Sequence, residues 1–265
     1  MLLSLDTGVS ALEQFQQQIN VIANNIANVN TTAFKQGDVN FEDTLSNTVG
    51  SNAAGSIQVG TGVTTASILN DFSSQGTLKA TNIPSDLAVD GSGFFVVKDP
   101  VSGNSFVTQD GSFGLDNNGY LVTSNGLRLQ GSTGDIQISA GAGGTATVAS
   151  YTIGKDGTVN VTLSDGSSSS AGQITLQNYA NPDQLVRVGN NQYSAPTAAG
   201  GLAAAVAPGS SGTGLIRSGY LEMSNVDLAA QLTSLISAQR AYEANSKTIS
   251  TSDSIMQTLV NLKQG

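Results

Sequence analysis

Leu5, Leu12, Ile19 and Ile26 recur every seven residues, and Gly8, Phe15, Ile22 and Val29 follow each of them by three. This double apolar seam over nearly four heptads predicts a coiled-coil helix of about 26 residues, roughly 39 Å long at 1.5 Å per residue. The far end repeats the pattern. Leu228, Leu235, Tyr242, Ile249 and Met256 are again seven apart, with Leu232 and Val260 expected at second-seam positions and Gln239, Ser246 and Asp253 as polar interruptions. Ser224 with Asp227 three residues on reads as a capping box opening this helix, which then runs to about Leu262.

Between the helices the period changes. Short stretches rich in Val, Phe, Tyr and Thr are separated by Asp110-Gly111, Asn118-Gly119, Asn125-Gly126, Asp156-Gly157 and Asp165-Gly166, pairs suited to type I′ turns. Residues 75–218 are therefore expected to be mainly β. Gly91-Ser92-Gly93 precedes a β run rather than a helix, so it reads as a strand-connecting turn and not a phosphate loop. Two tracts of small residues, 139–150 and 200–214, read as loops. The fold class is α+β, mainly β, with a discontinuous β domain in the middle of the chain and long N- and C-terminal coiled-coil helices packing together. The expected division is a terminal helical domain of 1–74 plus 219–265 carrying an N-terminal extended linker, a main β domain of 75–134 plus 176–218, and a small outer β lobe or insertion at 135–175.

The polar side of the first helix is unusual. Gln16, Asn20, Asn24 and Asn28 fall four apart along one face, with Asn25 adjacent, where a solvated helix ordinarily carries Glu and Lys. Either these amides form a neutral solvated face, or the face is buried against other copies of the chain, where an amide both donates and accepts without the desolvation cost of a charge. Residues Leu5, Leu12, Phe15, Ile19, Asn20, Ile22, Asn24, Asn25, Ile26 and Asn28, with Leu228, Leu235, Tyr242, Ile249 and Met256, are the candidate subunit-packing set.

Composition sharpens this. Charged residues are 11% of the chain, against roughly 25% in an average soluble domain. With no His and no Cys, the usual general base, every thiol nucleophile and the commonest zinc ligands are missing, so no catalytic, cofactor-binding or metal-binding residues are expected. A net charge of −9 without any basic block argues against nucleic acid or an anionic membrane as partner. No apolar run approaches the roughly 20 residues of a membrane span, and no Lys or Arg precedes Lys35, so no cleaved secretory signal is expected.

Five collinear blocks carry a family resemblance: "VIANNIANVNTTAFK" (21–35), "SQGTLKATNIPSDLAVDGSGFFVV" (74–97), "DGSFGLDNNGYLVTSNGLRLQG" (110–131), "LQNYANPDQLVRVGNNQYS" (176–194) and "SNVDLAAQLTSLISAQRAYEANSKTIST" (224–251). Together they resemble the bacterial flagellar axial proteins of the hook and basal-body rod. The resemblance implies a self-assembling structural subunit, not an enzyme. Its terminal helices would form the innermost tube of a helical, tubular homopolymer, with the β domain as shell. It further implies export through the type III apparatus and contacts with other axial proteins and an assembly cap. Within the family a short hook subunit, transmitting motor torque to the filament, is the first expectation and a distal rod subunit the alternative; a β-rich adhesin and a cell-wall-cutting enzyme are remoter readings. The location implied is the flagellum, periplasmic to extracellular.

Overall fold

The chain folds, in a computed structural model that describes residues 2–52, 55–139, 147–200 and 204–264, into two compact units. One comprises Met1–Val29, Gln36–Asp71 and Val226–Gly265; the other comprises Asn30–Lys35 and Phe72–Asn225.

The terminal unit pairs α1 (Leu2–Ala27) with α2 (Leu228–Gln264), which pack together. Asp227 caps α2: its Oδ1 accepts the amides of Ala229 and Ala230 at 2.9 and 3.2 Å. The cap is thus Asp227 itself, not the expected Ser224. Between the helices in sequence come β1 (Gly37–Asp43), β2 (Ser46–Asn52), β3 (Gly55–Gly60) and β4 (Val63–Asn70). β1 pairs antiparallel with β4, and β2 with β3, each with one bulge. The stretch expected to be an extended linker is therefore a long hairpin. Its apolar alternations are short, Val39 with Phe41 in β1 and Ile57 with Val59 in β3, too brief to stand out among the surrounding Asn, Ser, Thr and Gly.

The second unit is built from β5 (Leu78–Ala80), β6 (Leu87–Asp90), β7 (Phe94–Lys98), β8 (Ser105–Thr108), β9 (Gly114–Leu115), β10 (Leu121–Val122), β11 (Arg128–Gly131) and β12 (Gly134–Asp135). There follow β13 (Val148–Ile153), β14 (Thr158–Leu163), β15 (Ser168–Gln173), β16 (Leu176–Gln177), β17 (Val186–Gly189), β18 (Gln192–Ser194), β19 (Leu215–Ser218) and β20 (Tyr220–Glu222). The main sheet is ordered β17-β18-β8-β7-β11-β10-β9, with β12 on β11 and β16 on β7. β13, β14 and β15 form a separate sheet whose Ile153, Val159, Val161 and Leu163 share one apolar core with Leu87, Phe95, Val97 and Leu129. Because β7 lies inside the main sheet, its run Phe94-Phe95-Val96-Val97 serves both faces: Phe95 and Val97 enter that core, while Phe94 joins Val107, Leu185 and Tyr193 in a second one.

The turns differ from expectation in type. Gly119, Gly126, Gly157 and Gly166 take φ near +80°, but the Asn or Asp before each does not. In each turn the glycine amide bonds the carbonyl three residues back, as Gly157 does to Gly154 and Gly166 to Leu163. These are type I turns closed by a left-handed glycine, which ask positive φ of one residue only. Consecutive residues at positive φ occur instead along Gly189-Asn190-Asn191, where β17 turns into β18, and at Ser211-Gly212. Asp156 and Asp165 accept bonds from Thr158 and Ser167, which hold both carboxyls below the ordinary aspartate range. Because the folded values are lowered, this support is present above about pH 3.9 and is lost as pH falls through them. Gly91 and Gly93, also at positive φ, make the connecting turn expected of that tract.

Of the two small-residue tracts, 140–146 and 201–203 lie outside the described residues. Val148 onward is already strand β13, and Val206 is fixed by paired backbone bonds with Leu176 at 2.9 Å. Among the described residues no helix is long and apolar enough to cross a membrane.

Gly111 shows how tightly the β unit is packed: a Cβ there would strike the Leu87 carbonyl, whereas one on Gly114 meets nothing within 4 Å. Gly111→Ala is expected to cost about 1–3 kcal/mol and Gly114→Ala to be near neutral, read as the urea midpoint of the β unit at constant m.

Candidate functional site

Two buried polar constellations organise the units. In the terminal unit, α1 lies against both α2 and the β1/β4 hairpin, and three of its amides, Gln14, Gln17 and Asn25, bond these neighbours. Asn25, 2% exposed, donates from Nδ2 to the Gly37 carbonyl at 2.8 Å and accepts the Gly37 amide at 2.9 Å on Oδ1. One side-chain amide thus satisfies both backbone groups of the residue that opens β1, as a neighbouring strand would. Its Nδ2 also lies 3.2 Å from Oε1 of buried Gln231 on α2. Further up the helix, Thr65 of β4 donates to Gln14 and Gln17, and Phe15 meets Phe41 edge-to-face at 6.4 Å.

The packing set divides accordingly. Ile22 and Asn25 are buried, and Leu5, Leu12, Phe15, Ile19, Ile26 and Asn28 half-buried, while Asn20 and Asn24 face solvent. Asn28 turns back to the Asn24 carbonyl. On α2, Leu235, Tyr242, Ile249 and Met256 are half-buried and Leu228 is 44% exposed. The second seam lies one residue earlier than expected. Gln231 and Ala238 are buried and Asn245 and Ser252 half-buried, whereas Leu232, Gln239, Ser246 and Asp253 are exposed. Close approach favours small side chains along this line: buried Gly8 of α1 stands where a Cβ would come within 3.0 Å of Ile249. Elsewhere on α2, Thr233, Ser237, Thr248, Thr251, Ser254 and Thr258 return their hydroxyls to carbonyls four residues back, which supplies an uncharged polar surface.

The second constellation is in the β unit and was not among the expected residues. Segment 30–35 is fastened there by Lys35, 2% exposed, whose Nζ lies 2.8 Å from Glu222 Oε1 and 3.2 Å from the Ser74 carbonyl. The same Glu222 oxygen accepts the Gly76 amide at 2.9 Å. Ala33, at φ +52°, donates its amide to the Glu222 carbonyl, and Asn191 donates to the Thr32 carbonyl. Arg187 bonds the Lys35 carbonyl at 3.0 Å and lies 4.7 Å over the Phe34 ring. Phe72 and Phe94 surround Tyr193, whose hydroxyl burial pushes above its ordinary range, partly offset by Arg187. The signal that could have found the pair is Lys35 itself, the first basic residue of the chain, standing in an otherwise neutral run.

Among the described residues no His, Cys, Asp or Glu cluster could hold a metal ion. The three described ion pairs, Lys35–Glu222, Arg128–Asp135 and Arg217–Asp90, are distributed through the β unit and form no single cleft.

Comparison with known proteins gives three family models along the chain: flagella basal body rod protein over residues 5–35, the flagellar hook protein FlgE/F/G D1 domain over 88–161, and flagellar basal body rod FlgEFG protein C-terminal over 217–262. The chain is 42% identical over 273 residues to the flagellar basal-body rod protein FlgG of Bacillus subtilis, covering 100% of both. It is 38% identical over 272 residues to the FlgG rod protein of Caulobacter vibrioides, covering 98% of this chain and 99% of that one. To the hook protein FlgE of Treponema pallidum it is 45% identical over 141 residues, which is 49% of this chain and 30% of that protein.

Glu222→Gln leaves the Lys35 charge buried without its counter-ion and is expected to cost the β unit about 3–5 kcal/mol, while Lys35→Met with Glu222→Leu recovers most of it; urea unfolding of the three proteins measures this. Asn25→Leu orphans both backbone groups of Gly37, at about 1–3 kcal/mol each, and is expected to raise hydrogen exchange at Gly37 and along β1 without altering the β unit.

Proposed function

The chain belongs to the flagellar basal-body rod and hook protein family, and from that premise we propose that it is a structural subunit of the distal rod, assembling with copies of itself into a tube. It is a protein of the bacterial flagellum. The observation that carries the rod reading is extent: rod proteins match from end to end, whereas the hook protein matches about half of the chain. The rod alternative therefore displaces the hook subunit as the leading assignment.

The terminal unit supports assembly. Leu232, Ile236, Ile255, Val260 and Leu262 of α2 are between 45% and 74% exposed, which is costly for a helix that has no further partner. In the proposed polymer these residues, with Asn20 and Asn24 of α1 and the rest of the packing set, meet neighbouring copies, and the α1–α2 contact extends into coiled-coil packing. The exposed amides then lose water without stranding charge. In this proposal the terminal unit supplies the axial core, while 75–134 with 176–218 supplies an inner shell and a lobe at 135–175 an outer one. Passage through the type III export apparatus, contact with an assembly cap, and the absence of catalysis belong to it as well.

Electron microscopy of basal bodies carrying an epitope-tagged copy is expected to place the label on the rod; label along the hook would return the hook reading. Asn24→Leu and Ile249→Asp are each expected to leave the β unit's unfolding midpoint unchanged while abolishing polymer that pellets from the unaltered chain. Normal polymer from either would refute the packing assignment.

A further inference from the structure

A cavity of about 230 Å³ in the β unit opens beside the second apolar core and carries polar groups that neither the fold nor the rod assignment uses. Half-buried Phe72 and Tyr179 contribute aromatic rings, Ser92 a hydroxyl and Asp183 a carboxylate. Gln109, 7% exposed, donates from Nε2 to the Gly93 carbonyl at 3.2 Å, while its buried Oε1 has no hydrogen-bond partner. Reversing the amide would set oxygen against the Gly93 oxygen, so the unmet group is an acceptor. Among the described residues the Ser92 and Tyr179 hydroxyls and the Asp183 carboxylate are also unpartnered, and no Lys or Arg lines the cavity.

Unmet acceptors, a negative charge and ring faces without a cation among them suit one ligand chemistry, a planar guanidinium. Its five donors serve the amide, hydroxyl and carboxylate oxygens while its face lies on the rings. An anion would meet Asp183 unfavourably, and a purely apolar group would leave the acceptors stranded.

The chain has four arginines. Arg128 and Arg217 are paired with Asp135 and Asp90, and Arg187 is bonded to the Lys35 carbonyl. Arg240, exposed on α2, has no partner among the described residues. We infer that this cavity is an arginine socket, filled in the polymer by Arg240 of a second copy. The inference rests on the rod reading, because it requires neighbouring copies, and it adds a charge-specific contact to an interface otherwise argued from apolar and amide groups. Such a contact fixes register more than it adds affinity.

The test uses the full chain. In isotope-labelled protein, N-acetylarginine amide is expected to shift the amide signals of Ser92, Gln109, Tyr179 and Asp183, with N-acetylglycine amide as the blank, and Asp183→Asn is expected to weaken the response about tenfold. In a pelleting assay Arg240→Met and Asp183→Asn are each expected to lower polymer yield about fivefold, the double variant no further, and Asp183→Arg with Arg240→Asp to regain about half. No shift with the arginine probe overturns the socket. Shifts accompanied by additive losses from the two substitutions overturn Arg240 as its occupant. Failure of the unaltered chain to pellet under any condition counts against the rod reading instead, and the probe titration still decides the cavity.

Discussion

Burial of charge without water is the constraint on which the β unit depends. Lys35 and Glu222 are 187 residues apart in sequence and meet at 2.8 Å, both almost fully removed from solvent. Such a pair gives little net stability over an apolar substitute, but it tolerates very few arrangements, because each wrong one strands a charge. Glu222 extends the same logic by accepting the Gly76 amide, and Lys35 by donating to the Ser74 carbonyl. The pair therefore sets where segment 30–35 lies relative to the beginning and end of the β unit. The left-handed Ala33, an uncommon conformation for a residue with a Cβ, is held in that setting.

The terminal unit solves a related problem with neutral groups. Asn25 replaces a strand for Gly37, and α2 lays its hydroxyls on its own backbone. Both devices explain how two long helices carry so few charges. Some amides are already spent inside the chain, while Asn20, Asn24 and the apolar residues on the outside of α2 are left exposed. Within one chain the amide face is thus partly buried and partly exposed.

The helices were legible in the sequence because apolar spacing at seven is a long, redundant signal; α1 spans the expected 26 residues. The second seam of α2 was not, because the positions that approach α1 are Gln231, Ala238, Asn245 and Ser252, and no hydrophobicity pattern selects small and polar residues. The hairpin over 37–70 escaped because its apolar alternation is short, Val39 with Phe41 in β1, and β1 and β4 are held by pairing and by contacts with α1. Turn positions could be read from their glycines, but turn type could not, since a single left-handed glycine and a double left-handed pair look alike until the preceding residue's φ is known. The ion pair was invisible as a pair, because nothing local to Lys35 names a glutamate near the other end of the chain.

The same separations have a kinetic consequence. Asn25 finds Gln231 across 206 residues, and Lys35 finds Glu222 across 187. Neither contact can form until residues beyond 220 are available, so loop closure must precede what these contacts contribute. The sheet at 94–194 can pair beforehand, and the two ends of the chain are fastened to their units last.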